Sequence, residues 1–155
     1  MHFLPRPRGL SPECVKPMLA AMITVLLVDD YPVMRQLLRD ILERHSDIRV
    51  IGEAATGEEA VAQSTNLHPA VVVIDIQLPT MTGMEATSLI KRHSPSTTVI
   101  ALTAGASDLS ETAMREAGAT TVLSKGDLLH TLYPAIIGRG HAHQDQISHL
   151  RLTSR

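Results

Sequence analysis

Apolar and polar positions along this chain alternate between two periods. Short aliphatic runs are separated by longer stretches in which apolar residues recur at helical spacing. Ile23–Val28 reads as a strand. Pro32 sits where a helix begins, and Val33, Met34, Leu37, Leu38, Ile41 and Leu42 then recur along one helical side. Ile48–Ala54 predicts a second strand. Thr56 is the expected N-cap of the next helix, with Glu59 completing a capping box. That helix runs to about Leu67, where His68-Pro69 ends it. Ala70–Ile74 is apolar throughout, as expected of a parallel strand covered on both faces. Residues 83–93 predict a helix with Met84, Ala86, Leu89 and Ile90 buried. Thr98–Leu102 is a fourth strand, and residues 108–117 a helix closed by Gly118. Val122-Leu123 is a short fifth strand. Leu128–Ile137 is a last helix, stopped by Gly138 and Gly140. Five strands alternating with five helices predict an α/β fold, a doubly wound five-stranded parallel sheet with helices on both faces.

Composition refines this picture. The chain has 155 residues, room for one domain and short tails. The expected division is a flexible N-terminal extension over 1–21, a folded unit over 22–138 and a C-terminal tail over 139–155. Pro5, Pro7, Pro12 and Pro17 punctuate the extension, and Met22 is a second candidate start. With no Trp, one Phe and two Tyr, the core must be aliphatic. A net charge of -2 gives no electrostatic footprint for nucleic acid. The single cysteine, Cys14, excludes an internal disulfide and fits a reducing, cytoplasmic setting. The apolar run 18–28 is too short to span a bilayer. Its length suits a signal-peptide core, but Asp-Asp-Tyr-Pro follows it instead of a small-residue cleavage site. It reads as the first strand and its lead-in.

Ligands of doubly wound sheets bind beyond the carboxyl ends of the strands. The polar residues predicted there form a convergent set. Strand one ends at Asp29 and Asp30, strand three at Asp75 and strand four at Thr103, and Lys125 follows strand five. Clustered carboxylates need a counter-charge, and Mg2+ with oxygen ligands supplies one. Asp75, on the central strand, is the candidate nucleophile, since an aspartate can carry a phosphoryl group. Lys125 suits a phosphoryl oxygen, and the Thr103 hydroxyl can donate to another. Simpler readings exist for each residue alone: helix capping for Asp29 and Asp30, a turn for Asp75, a solvated surface for Lys125. The ordered set is far more specific than any member.

The stretches VLLVDDYPVMRQLL, VVVIDIQLPTMTGMEA, VIALTA and AGATTVLSKGD resemble the receiver domain of two-component response regulators over about residues 22–138. The resemblance implies a flavodoxin-like, CheY-like sheet with strand order 2-1-3-4-5. It implies that Asp75 accepts a phosphoryl group from a histidine kinase or phosphotransfer protein. Asp29 and Asp30 match the Mg2+-binding acids, and Gln77 the position whose backbone carbonyl joins the metal shell. Thr103 and Lys125 match the residues that grip the phosphoryl group, and Ala104 the small residue that leaves the acceptor accessible. Pro79 and Gly83 match the loop after the acceptor. A homodimer through the helix 4–strand 5–helix 5 face is a further family expectation.

Two positions depart from the pattern. An aromatic usually lies three residues before the lysine, where this chain has Val122. The lysine is usually followed by proline or aspartate, and often by a cis bond; here Gly126 follows. About 17 residues after Gly138 are too few for a helix-turn-helix module, so the expectation is a stand-alone or truncated receiver. As a signalling switch it would be no enzyme beyond its own phosphoryl transfer and loss. A haloacid-dehalogenase-type phosphatase would need an acid where Gln77 stands. A dinucleotide site would need a Gly-rich turn after strand one. A receiver-fold interaction module acting without phosphorylation is the alternative that Val122 suggests. The tail histidines His141, His143 and His149 read as solvated.

Overall fold

The computed structural model describes residues 22–105 and 107–138. The expected extension over 1–21 and tail over 139–155 lie outside these residues. The strands are β1 (Ile23–Val28), β2 (Ile48–Ala54), β3 (Val71–Asp75), β4 (Thr98–Thr103) and β5 (Thr121–Ser124). The helices are α1 (Pro32–Leu42), α2 (Gly57–Leu67), α3 (Gly83–His93), α4 (Asp108–Ala117) and α5 (residues 128–138). All pairings are parallel, in the order β2-β1-β3-β4-β5. The fold is therefore the expected one, and no strand boundary differs from the expectation by more than one residue. The β1–β2 register shifts between Val25 and Leu26, so that Leu26 pairs with Gly52 and Ile51 is the extra residue.

Alternation along the central strands feeds two cores. Val25, Leu27, Val71, Val73, Ile100 and Leu102 point to one face. There Leu38, Ile41 and Leu42 of α1 and Leu132 and Ile136 of α5 cover them. Leu26, Val28, Val72, Ile74, Val99 and Ala101 point to the other face, under Ala60 of α2, Ala86 and Ile90 of α3 and Met114 of α4. Both faces of β1, β3 and β4 are thus dry, which is why these strands read as unbroken aliphatic runs.

Local chemistry sets the helix ends. Pro32 opens α1. Thr56 caps α2 by accepting from the Glu59 N–H, but the Glu59 carboxylate reaches back to the Ala55 N–H at 2.9 Å, one residue before the cap. The expected reciprocal box is therefore incomplete at Thr56. The complete one stands at Thr82 and Glu85, opening α3. Gly118 closes α4 in the left-handed region (φ 113°), and the Lys91 side chain lies where a Cβ would project.

Two helical stripes are broader than the core they cover. Val33 (81% exposed) and Leu37 of α1 face outward, and Met34 is half-buried. In α3, Ala86 and Ile90 are buried as expected, but Met84 and Leu89 are only half-buried. They line an open groove of about 620 Å3 together with Met81, Glu58 and Ala117.

Candidate functional site at the carboxyl edge of the sheet

Three strand ends deliver the charged residues. Asp29 and Asp30 follow the last residue of β1, Asp75 is the last residue of β3, and Lys125 follows β5. Asp29 is fully buried and Asp75 is 5% exposed. The Lys125 ammonium bridges them, donating to Asp29 Oδ2 at 2.8 Å and to Asp75 Oδ2 at 2.7 Å. Their second oxygens are held by main-chain N–H groups. Asp29 Oδ1 accepts from Tyr31 and Asp75 Oδ1 from Gln77, each at 2.9 Å. Both rotamers are thereby fixed. Burial pushes the Asp75 carboxyl up; Lys125 and the Gln77 N–H pull it back, and the net direction is upward. Burial alone would lower the Lys125 ammonium, but its hydrogen bonds to Asp29 and Asp75 prevail and raise it.

One ammonium faces three acids. Carboxylate oxygens of Asp29, Asp30 and Asp75 lie within 4.8 Å of one another, close enough to share one small cation. Asp30 Oδ1 is buried without a hydrogen-bond partner, which leaves one desolvated acceptor on an acid of the cluster. A hard divalent cation fits this donor set: all ligands are oxygens, the local charge is in deficit, and one acceptor is orphaned.

Beside Asp75 opens a cavity of about 340 Å3, whose lining includes Gln77, Thr103, Ala104, Ser107 and Ser110. The Thr103 hydroxyl is turned toward its own loop, donating to the Gly105 carbonyl at 2.6 Å and accepting from the Gly105 N–H at 3.2 Å. Ala104 is exposed. Val122 is half-buried and packs against the core under α2, α3 and α4. Lys125–Asp127 form a single 3-10 turn, capped by Ser124, whose hydroxyl accepts from the Gly126 N–H. No cis peptide bond occurs among the described residues, so Gly126 leaves this junction trans.

The fold thus brings Asp29, Asp30, Asp75 and Lys125 together. It sets Gln77, Thr103 and Ala104 around the neighbouring cavity and packs a half-buried Val122 against the core. One participant was not read from the sequence. Arg35 of α1 donates to the Asp29 carbonyl at 2.6 Å and pairs with Glu53 of β2 at 3.2 Å. Only its helical offset from Asp29 could have hinted at this, because Glu53 comes into range through the sheet pairing.

The response regulator receiver domain family matches residues 25–136. The chain belongs to that family. It is 42% identical over 106 residues to a protein-glutamate methylesterase/protein-glutamine glutaminase of Syntrophus aciditrophicus, covering 67% of this chain and 30% of that protein. It is 36% identical over 115 residues to the response regulator GacA of Pseudomonas protegens, covering 74% of this chain and 54% of the other. The crystal structure of the response regulator domain of Thermotoga maritima CheB superposes with a TM-score of 0.64 at 31% identity, covering 76% and 92% of the two chains. The chain therefore spans about 30% of the first of these curated relatives and 54% of the second. What it shares with them is the receiver, a signalling module of two-component systems. No helix among the described residues is long and apolar enough to cross a membrane.

Proposed function

We propose that this receiver is a phosphorylation-dependent switch of a two-component phosphorelay, accepting a phosphoryl group on Asp75 from a histidine kinase or phosphotransfer protein. The observation that carries this reading is the Lys125 ammonium held between Asp29 and Asp75, with Asp75 lining a cavity beside that pair. Asp75 is fixed at both oxygens and borders that cavity. One of its oxygens forms the new O–P bond as the P–N bond of a phosphohistidine breaks, and the electron pair leaves with the imidazole. Lys125 is already in place and needs no reorganisation to meet the arriving phosphoryl oxygens.

Asp29, Asp30, Asp75 and the Gln77 carbonyl are the groups that would hold Mg2+. When bound, the ion supplies positive charge against the phosphoryl oxygens. The chain's own task is to orient Asp75, leave the cavity open at Ala104 and offer Thr103. The Thr103 hydroxyl exchanges the Gly105 carbonyl for a phosphoryl oxygen, and the loop into α4 moves with it. Val122 has no ring to follow, so on this reading the change is carried by the β4–α4 loop. Exposed apolar side chains support a docked donor: Tyr31 (67% exposed), which follows Asp30 in the chain, Val33 and Leu37 on α1, and Leu129 on α5, with Leu37 and Leu129 lining one cavity with Lys125. Leu109 and Ile137 expose apolar surface on α4 and α5 and support a homodimer through that side. The presence of the full acidic set favours phosphorylation over a phosphorylation-independent interaction role, and the cytoplasm is the compartment this reading requires.

Incubation with acetyl phosphate and Mg2+ tests the assignment. The wild type should take up one acid-stable, base-labile phosphoryl group and Asp75→Asn none. Undiminished labelling of Asp75→Asn would remove Asp75 from the role.

A further inference from the structure

Thr80, at the tip of the β3–α3 loop, has a positive φ of 63°. A β-branched residue is a poor occupant of that region, and something must hold it there. The Thr80 hydroxyl donates to the Glu58 carboxylate in the first turn of α2, at 2.9 Å to Oε1 and 3.2 Å to Oε2. Next to this tie, Met81 lies flat on the Gly57 backbone, with its Cβ 2.9 Å from where a Gly57 Cβ would stand.

The two ends of the loop are secured separately. The Gln77 N–H is bonded to Asp75, the Gly83 N–H donates to the Ile76 carbonyl at 3.0 Å, and Thr82 is locked in the α3 capping box. The exposed tip between them is tied to another element by the Thr80–Glu58 bond. Gln77, three residues before Thr80, is the residue whose carbonyl faces the metal shell in the proposed function.

We infer that Glu58 is a positioning residue for the acid cluster. Through the Thr80 hydroxyl it holds the strained loop in the conformation that presents Gln77 beside Asp75, and so tunes Mg2+ affinity from outside the site. The inference rests on the Mg2+-dependent receiver reading.

Mg2+ titration of the full chain, followed by calorimetry and by the Gln77 amide NMR shift, tests it with four single variants and one double variant. Glu58→Ala should weaken Mg2+ binding by roughly tenfold, the low end for loss of an outer-shell tie, and shift the Gln77 amide without metal. Glu58→Gln keeps an acceptor for Thr80 and loses the charge, so it should bind within about twofold of wild type. Glu59→Ala removes a first-turn acid of the same helix without touching the loop and should also bind like wild type. Thr80→Gly removes both the strain and the hydroxyl, so adding Glu58→Ala to it should cost no further affinity. Equal losses in Glu58→Ala and Glu58→Gln would show a bulk charge effect and overturn the inference. So would an undiminished Glu58→Ala effect in the Thr80→Gly background, or wild-type affinity in Glu58→Ala. A wild type that binds no Mg2+ would instead overturn the receiver reading on which it rests.

Discussion

Glu53 shows how one residue can couple distant parts of this molecule. It sits on the edge strand β2 and pairs with Arg35 at 3.2 Å and Arg39 at 2.7 Å. Arg35 in turn holds the Asp29 carbonyl, so the β1–α1 loop is fixed by a charge from the neighbouring strand. Burial alone would push the Glu53 carboxyl up, yet the hydrogen bonds from Arg39 and Arg35 outweigh it and hold it below the ordinary glutamate range. A group depressed on folding contributes stability above its unfolded pKa and loses that contribution as pH falls through its folded pKa. Glu53→Gln should therefore be less stable than wild type at neutral pH, by roughly 0.5–1 kcal/mol for a partly exposed pair. The gap should close on acidification below the glutamate range. Urea melts at several pH values read this directly; a gap that widens toward acid would contradict it. The positions of Arg35 and Arg39 on α1 were legible as ordinary polar-face residues. Their partner was not, because Glu53 reaches them only once β2 pairs with β1.

The β3–α3 connection is the element on which the site depends most. It must turn sharply after Asp75 and enter α3 within a few residues. Gly83 makes this possible, since a Cβ there would collide with the Asp75 carbonyl oxygen and stand 2.8 Å from Ile76 Cα, both backbone atoms that cannot rotate away. Gly83→Ala should cost about 2–3 kcal/mol in denaturant unfolding, in the range of overpacked core substitutions. It should also slow phosphoryl acceptance by displacing Asp75. Wild-type stability for Gly83→Ala would mean that the loop relaxes without penalty. Motif spacing placed Pro79 and Gly83 after the acceptor, but the close approach that requires glycine is a contact between two backbones. The capping boxes teach the same distinction. Threonine followed three residues later by glutamate occurs at Thr56 and at Thr82, and only the second closes reciprocally, because Glu59 has an alternative donor at Ala55.

At the scale of the whole molecule, the buried end of the sheet is electrostatically unbalanced. Three acids converge on one ammonium, and burial pushes Asp75 upward, so the metal-free fold bears a cost that a cation would relieve. Because such a site exists only in the folded chain, binding adds stability by mass action, about 2.7 kcal/mol at a hundredfold excess over Kd. Mg2+ should raise the thermal midpoint by several degrees, EDTA should reverse the rise, and Asp30→Asn should reduce it. An identical midpoint with Mg2+ and with Na+ at matched ionic strength would argue against a metal site.

Period, strand length and helix punctuation determined the architecture on their own. Short aliphatic runs alternating with helical periods fit the inner strands of a parallel sheet covered on both faces. The order of chemistry-bearing residues at the strand ends then marked Asp29, Asp30, Asp75, Thr103 and Lys125 before any geometry was available, because strand ends in such a sheet converge on one edge. What only the tertiary structure decided are the relations between elements. Lys125 bridges Asp29 and Asp75, Arg35 is recruited through Glu53, Val33 and Leu37 of α1 are left facing outward, and Glu58 ties down Thr80. Each depends on which surfaces meet across the sheet and between helices, and no local pattern encodes that distance.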